Sequence, residues 1–302
     1  MIEVRTDGRG TGAPAAVALG SFDGVHRGHE VLLRACVEEA RARGILSAVY
    51  TFLNHPGTLT GRPVKLLTTP SEKAARFEEL GLDAVIFGRF DERFAALPPE
   101  RFVREYLRDR LSAQVCVCGF HYRFGAGGAG DAELLRRLCA AEGIEVRVIE
   151  PVTDGGELIS SSRIRALCEA GEVARAGELL GRPYALLSRV VEGKKLGRKL
   201  GFPTINQVFP PDAVIPKKGV YETRLNLGGT VYRGVTNVGC RPTVQGEGIN
   251  AETHILGFSG DLYGRVIRIS FLRMLRPERK FESLEELQAQ IARDRAAVEE
   301  QK

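Results

Sequence analysis

The chain has 302 residues, 43% hydrophobic and 27% charged, with a formal net charge of +5; this is an ordinary globular composition, long enough for two domains. The mild basic excess suits an anionic small molecule such as a nucleotide, and it is too weak and too evenly spread to argue for nucleic acid. There is no basic-then-apolar amino-terminal run and no stretch of roughly 18 apolar residues, so neither a signal peptide nor a membrane span is expected and a cytoplasmic location is.

Taken in chain order, residues 15–19 read as a strand and 30–43 as a helix, with Leu32, Ala35, Cys36 and Ala40 on one face. Residues 45–52 form a β-branched and aromatic strand. Ser71 is the expected cap of a helix over 72–80 that Gly81 ends. A strand at 83–87, a helix at 99–111, a strand at 114–120, a helix at 131–142 and a strand at 144–150 follow. This alternation predicts a doubly wound parallel sheet with helices on both faces and ligands beyond the carboxyl ends of its strands. Residues 160–180 look helical twice over. From 185 to 275 the segments are short and β-rich, and Gly228-Gly229 signals a hairpin, which together predict a small antiparallel barrel. Residues 283–299 read as a final helix with Leu284, Leu287, Ile291 and Val298 as its apolar stripe. The expected domains are 1–182 and 183–302.

The six cysteines (Cys36, Cys116, Cys118, Cys139, Cys168 and Cys240) are scattered. Cys116 and Cys118 form C-x-C, which strand alternation points to one face. Buried reduced thiols are expected rather than a zinc or redox site.

The stretch "GSFDGVHRGH", residues 20–29, holds two of the five histidines. Glycines between a strand and a helix let the backbone approach an anion, and the helix start offers unpaired N–H groups. If the helix begins near Val25, His26 and His29 share a face and can donate to the same phosphates. Solvated first-turn residues, or a metal site needing a third ligand, are the alternatives. In "ISSSRIR", residues 159–165, three serines before a helix are good caps, and Arg163 and Arg165 also make an anion cradle.

"GKKLGRKLGFPTIN", residues 193–206, is not a Walker A loop. Gly193, Gly197 and Gly201 free the backbone to wrap phosphates. Lys194, Lys195, Arg198 and Lys199 add charge, and Pro203 fixes a turn. Thr204 and Asn206 offer two neutral oxygen ligands on one side of an extended segment, suited to a hard cation. A solvated basic loop is the alternative.

"GSFDGVHRGH" with a distant "ISSSRIR" resembles the nucleotidyltransferases that carry an H-x-G-H signature. With "TFLNHP", "GFHYRFG" and "LLGRPY", it looks like the amino-terminal module of the bacterial bifunctional riboflavin kinase/FAD synthetase family. "LGFPTIN" looks like that family's P-T-A-N motif, with Ile205 in place of alanine. "GVYETRL", "NVGCRPT", "AETHIL", "DLYGRVIRISF" and "LRPERKF" follow in the family's order. The resemblance spans about residues 15–295.

It implies a Rossmann-like nucleotidyltransferase domain followed by a riboflavin kinase barrel, with ATP as co-substrate, Mg²⁺, and riboflavin, FMN and FAD as the other small molecules. In the first half it implies that His26 and His29 hold the ATP phosphates and that Ser161, Ser162 and Arg165 grip the phosphate tail. His55 would sit near the reacting phosphates, and Gly20, Phe22, Gly24 and His121 complete the nucleotide site. In the second half Thr204 and Asn206 would coordinate Mg²⁺, and Glu252 would take the proton of the ribityl 5′-hydroxyl. Gly193, Lys194, Gly197, Gly201, Pro203 and Arg276 would bind nucleotide or flavin.

The chain departs from the family's pattern in three places. His121 stands where it generally has Asp or Asn, and Tyr122 where it has Phe. "GAGGAGD" lacks a basic residue often found there, and "SSS" replaces "SST". With both histidines and Arg165 present, adenylyl transfer is still expected. A flavin-sensing protein with degenerate catalysis is a second reading, resting on His121. A nucleic-acid-binding barrel is a third, and it lacks the interleaved aromatic residues such surfaces use. No nucleic-acid or membrane partner is expected, and the sequence assigns no oligomeric state.

Overall fold

The computed structural model describes residues 2–6, 10–59, 61, 64–193, 197, 200–243 and 246–300, without the side chains of 240–248. It divides into two compact units, Met1–Ser161 and Ser162–Lys302.

In the first unit, strands β1 (Glu3–Thr6), β2 (Ala15–Leu19), β3 (Leu46–Phe52), β4 (Ala84–Gly88), β5 (Ala113–Gly119) and β6 (Glu145–Ile149) form one sheet in the order β1-β4-β3-β2-β5-β6. Every pairing in it is parallel. Central β2 is buried at all five residues, which is why it reads as an unbroken apolar run. The helices are α1 (Arg27–Arg43), α2 (Pro70–Glu79), α3 (Glu92–Ala95), α4 (Pro99–Arg101) and α5 (Ala132–Ala141). Ala16 and Ala18 pack in one layer with Leu33 and Cys36 of α1 and Phe77 of α2. Ala15, Val17 and Leu19 pack in the opposite layer with Leu107 and with Leu135 of α5. The sheet is therefore covered on both faces, as expected. Cys116 and Cys118 share the second layer with Cys139, and the five described cysteines are buried free thiols. Burial pushes the Cys118 thiol up to about 12, which removes its nucleophilic form at neutral pH.

Two local expectations are corrected. The second helix starts at Pro70, capped by Thr69 and not by Ser71. Thr69 and Glu72 form a reciprocal capping box, and proline suits the first helical position. The helix expected over 99–111 is α-helical only through α4 and continues as a π-helix over Phe102–Arg110, with Leu111 N–H donating to the Tyr106 carbonyl at 2.9 Å. Strand β1 was not anticipated from the sequence. A short hairpin of β7 (Thr153–Asp154) and β8 (Glu157–Leu158) follows the sheet.

The second unit holds α6 (Ser161–Ala170) beyond its first residue, α7 (Val173–Leu180), strands β9 (Tyr184–Val191), β10 (Thr204–Val208), β11 (Gly219–Leu227), β12 (Thr230–Thr243), β13 (Gly246–Ile255) and β14 (Val266–Pro277), and α8 (Leu284–Glu299). The strands close a barrel in the order β10-β13-β12-β11-β14-β9, antiparallel throughout. Gly228 and Gly229, with φ of 62° and 90°, turn β11 into β12, the hairpin expected there. The hydroxyls of Thr223, Thr236 and Thr253 form a buried chain at 2.8 Å per step. The division falls after the first residue of α6, whereas the sequence expectation falls at 182. Lys217 N–H donates to the Cys168 carbonyl of α6 at 3.1 Å, and Val173, Ala176 and Leu179 of α7 are fully buried. Of the expected stripe on α8 only Val298 is buried, and Leu284 is 57% exposed. The helix is held by Val298, packed against Val220 and Val235, and by Asp294, which takes Nε and Nη2 of Arg276 at 2.8–3.1 Å. Among the described residues no helix is long and apolar enough to cross a membrane.

Candidate active sites

The loop from β2 to α1 leaves the carboxyl edge of the sheet where the strand order reverses between β2 and β5, the place where such sheets bind ligands. Its backbone is forced. Phe22 and Val25 have φ of 49° and 39°, beside Gly24 at 81°; a β-branched residue in the left-handed region is strained. The surroundings hold it there. Phe22 and Val25 are buried. The Asp23 carboxylate accepts the N–H groups of Leu67 and Thr68 at 3.0–3.1 Å, and Gly24 N–H donates to Thr68 Oγ1 at 2.9 Å. A Cβ on Gly20 would stand 3.0 Å from the Phe22 ring. Gly20 and Phe22, both expected at the nucleotide, thus shape the floor of the loop. The Phe22 ring meets His29 edge-on at 5.2 Å.

His26 is the N-cap of α1, so the helix begins one residue later than His26 rather than at Val25. Its Nδ1 accepts the His29 N–H at 3.3 Å, which leaves Nε2 as the protonated nitrogen of the neutral ring. The two imidazoles stack with centroids 3.6 Å apart and planes at 16°. A Cβ on Gly28 would press 3.2 Å from the His26 ring, so that glycine makes room for the stack. Both rings stand at the start of α1, where free N–H groups and the helix dipole favour anions.

Beside this loop is a pocket lined by Ser21, Asp23, Asn54, His55, Thr68 and Lys73, among others. His55 caps the 3₁₀ turn Pro56–Thr58, its Nδ1 accepting the Gly57 N–H at 3.0 Å, so its Nε2 also carries the proton when neutral. Ser161 Oγ donates to the Asp23 carbonyl at 2.9 Å, which ties the last serine of the first unit to the histidine loop. Ser162 is exposed and Arg165 half-buried in the opening turns of α6, within the second unit. His121 is exposed just past β5, its ring 3.5 Å from that of Phe120. Lys73 was missed from sequence: a lysine on an amphipathic helix reads as a solvent residue.

In the barrel, Thr204 and Asn206 alternate along β10, and Glu252 on β13 lies directly across from Asn206. Asn237 on β12 faces Glu252 from the other side. Residues directly opposite share a sheet face, so the three expected residues Thr204, Asn206 and Glu252 are brought together. Asn206 is buried, and its Oδ1 has no hydrogen-bond partner among the described residues. A Cβ on Gly193 would fall 2.4 Å from Asn206 Nδ2, and one on Gly197 would fall 2.3 Å from the Phe202 carbonyl and 3.3 Å from Thr204 Oγ1. These glycines are required by close approach to the two oxygen donors. Gly201 turns with φ of 83°. The Pro203 carbonyl accepts from His254 Nδ1 at 2.9 Å, fixing the entry to β10. Lys194, Lys195, Arg198 and Lys199 lie outside the described residues. Arg276 is committed to Asp294 and to the Pro277 carbonyl, so its guanidinium docks α8. Sequence reasoning also missed Glu222, a buried carboxylate that bonds Arg233 and Arg273 across neighbouring strands.

A family model described as FAD synthetase matches residues 10–163, and one described as riboflavin kinase matches residues 180–301. An Escherichia coli K12 protein named bifunctional riboflavin kinase/FMN adenylyltransferase is 40% identical over 287 residues, covering 94% of this chain and 91% of its own. The Bacillus subtilis 168 protein of the same name is 35% identical over 290 residues with the same coverage. A solved Streptococcus pneumoniae structure, described as a macrolide-efflux protein, matches with a TM-score of 0.91 at 30% identity over 100% of both chains. Since both family models match in chain order and relatives at 35–40% identity span nearly its whole length, the chain belongs to the bifunctional riboflavin kinase/FMN adenylyltransferase family.

Proposed function

We propose that this chain converts riboflavin to FMN in its barrel and FMN to FAD in its sheet unit, using ATP for both. The functional halves are residues 1–182 and 183–302. The observation that carries this reading is the presence of two separate constellations, the stacked His26–His29 pair on the loop after β2 and the Thr204–Asn206–Glu252 face of the barrel, each within a stretch matched by its own family model.

In the kinase half, Glu252 takes the proton of the ribityl 5′-hydroxyl as its oxygen attacks the γ-phosphorus of ATP and ADP leaves. A positioned base contributes about 10²–10⁴-fold. The donor set suits Mg²⁺: Asn206 Oδ1 is a buried oxygen without a partner among the described residues, and Thr204 lies two residues along the same strand, on the same face. Mg²⁺ there would neutralise developing charge on the transferring phosphoryl group. Gly193, Gly197, Gly201 and Pro203 shape the backbone around the nucleotide phosphates, with Lys194 adding charge.

In the adenylyltransferase half, an FMN phosphate oxygen attacks the α-phosphorus of ATP and pyrophosphate leaves. No covalent enzyme intermediate is needed, so the protein supplies positioning and donors for developing charge. The Nε2–H groups of His26 and His55, with His29 and Ser161, donate to the phosphates, and the family resemblance gives Ser162 and Arg165 the same task. Gly20, Phe22 and Gly24 set the loop, and His121 borders the nucleotide. The five described cysteines are free thiols, in keeping with the reducing cytoplasm.

Two variants of the full chain test the assignment. His29→Ala is expected to abolish FAD formation and leave FMN formation intact, and Glu252→Gln to do the reverse when each half is supplied with its own flavin. Loss of both reactions in either variant, or of neither, contradicts it.

A further inference from the structure

Lys73 on α2 is only 6% exposed. Its ammonium donates to the Ser21 carbonyl at 3.2 Å, to Thr51 Oγ1 at 3.3 Å and to the Phe52 carbonyl at 2.8 Å. All three acceptors are neutral. The one carboxylate that acts on it, Asp23, directs its oxygens to the Leu67 and Thr68 N–H groups. Burying a cation without a close anion is costly, and a neutral side chain of similar size would pack there more cheaply.

The acceptors show what the ammonium joins. Ser21 opens the loop that leads to His26. Thr51 and Phe52 end the strand that leads to His55. Thr51 Oγ1 also donates to the Ser21 carbonyl at 2.9 Å, so one residue of α2 and one hydroxyl of β3 hold the same loop carbonyl. Lys73, Ser21 and His55 line one pocket. The loop carries left-handed φ angles at Phe22 and Val25, a conformation that persists only where neighbours over-determine it.

We propose that Lys73 is a positioning residue for FMN adenylylation, fixing the separation between the loop that carries His26 and His29 and the strand end that carries His55. This rests on reading the first unit as the adenylyltransferase. The clamp uses all three N–H groups of the charged form, and losing the proton removes one of them. Burial lowers the Lys73 ammonium to about 8, with Asp23 opposing that shift. The other charged or titratable groups nearby are His55, which lines the pocket, and Glu72 and Arg76 on α2, which are engaged with Thr69 and with Glu30 and Glu79. Adenylyl transfer therefore weakens as pH rises through about 8.

The test uses the full chain, wild type and with Lys73→Met or Lys73→Arg. Rates of FAD formation from FMN and of FMN formation from riboflavin are measured on the same preparations across neutral to alkaline pH. Lys73→Met is expected to lower kcat for FAD formation about 10²-fold, the scale of a small misplacement of reacting groups, with FMN formation unchanged. Wild-type kcat for FAD should fall with a midpoint near 8. Lys73→Arg should keep a measurable rate and lose that fall, because guanidinium stays charged. If Lys73→Met unfolds the first unit, the wild-type and Lys73→Arg pH profiles still decide. A wild-type FAD rate that is flat through this range, or a folded Lys73→Met with wild-type kcat, overturns the proposal alone. Wild-type protein that makes FMN but no FAD at any pH overturns the adenylyltransferase reading and this proposal with it.

Discussion

The Nδ1 of His26 accepts the backbone N–H of His29 at 3.3 Å while their rings stack at 3.6 Å. One side chain therefore caps the helix and orients the second imidazole. The two roles are separable. His26→Asn keeps a good N-cap, so the thermal unfolding midpoint should hold while FAD formation drops about 10²–10³-fold, the scale of losing one donor to developing charge. His26→Ala should show the same drop and also lose about 1 kcal/mol of stability. Equal FAD rates in wild type and His26→Asn, measured by chromatography, would confine His26 to capping.

Gly193 has no side chain because Asn206 occupies the space. Gly193→Ala is expected to displace Asn206, lower FMN formation and raise the Mg²⁺ concentration needed for half-maximal rate, with FAD formation from supplied FMN unaffected. A Mg²⁺ titration of the kinase reaction reads this directly. An unchanged half-maximal concentration would remove Asn206 from the cation site.

Arg276 and Asp294 are 18% and 6% exposed, and their pairing does the docking that the apolar stripe of α8 does not. Removing one partner of such a buried pair costs about 3–5 kcal/mol. Asp294→Ala should therefore lower the unfolding free energy of the barrel, measured by denaturant unfolding, by that order. A shift as small as that of an exposed surface substitution would show that the helix is held by its other contacts, buried Val298 and the Arg273–Ala297 hydrogen bond among them.

Much of this was legible before the structure. The alternation of strand and helix identified the sheet because a doubly covered parallel strand must be apolar throughout, as "AAVAL" is. The barrel announced itself through short β-rich segments and Gly228-Gly229. The site motifs were legible where backbone needs show as glycine, at 20–28 and 193–201. What escaped notice depended on tertiary placement. Strand β1 is four residues with a mostly exposed pattern, too short and polar to carry a period. Lys73 and Asp294 are charged residues on amphipathic helices, and nothing local distinguishes a buried charge from a solvated one. The π-helical turns after α4 use the same residues as an α-helix and differ only in hydrogen-bond register.

Glu222 is buried between Arg233 and Arg273. Burial raises its pKa, but the Arg273 and Arg233 guanidiniums outweigh burial and hold the carboxyl below its ordinary 4.5. Because the folded value is depressed, the stabilisation is present above the unfolded value and is lost as pH falls through the folded one. Acid unfolding of the barrel should thus be steeper below about pH 4.5 in wild type than in Glu222→Gln. Parallel acid curves for the two would contradict the assignment.

His121 is exposed, at a position where the family resemblance leads one to expect Asp or Asn. With the stacked histidine pair and Ser161 in place, His121→Asn is expected to change FAD formation by less than about threefold, under 1 kcal/mol of transition-state energy. A gain of about tenfold, some 1.4 kcal/mol, without change in FMN formation would mark the sheet unit as a weakened copy.

The central claim is that one chain performs both steps. The most direct measurement is a time course of the purified protein with riboflavin, ATP and Mg²⁺, separating the flavins by chromatography. FMN that rises and then gives way to FAD is the predicted result. FMN that accumulates with no FAD would leave the barrel as the working half and contradict the role given to His26 and His29.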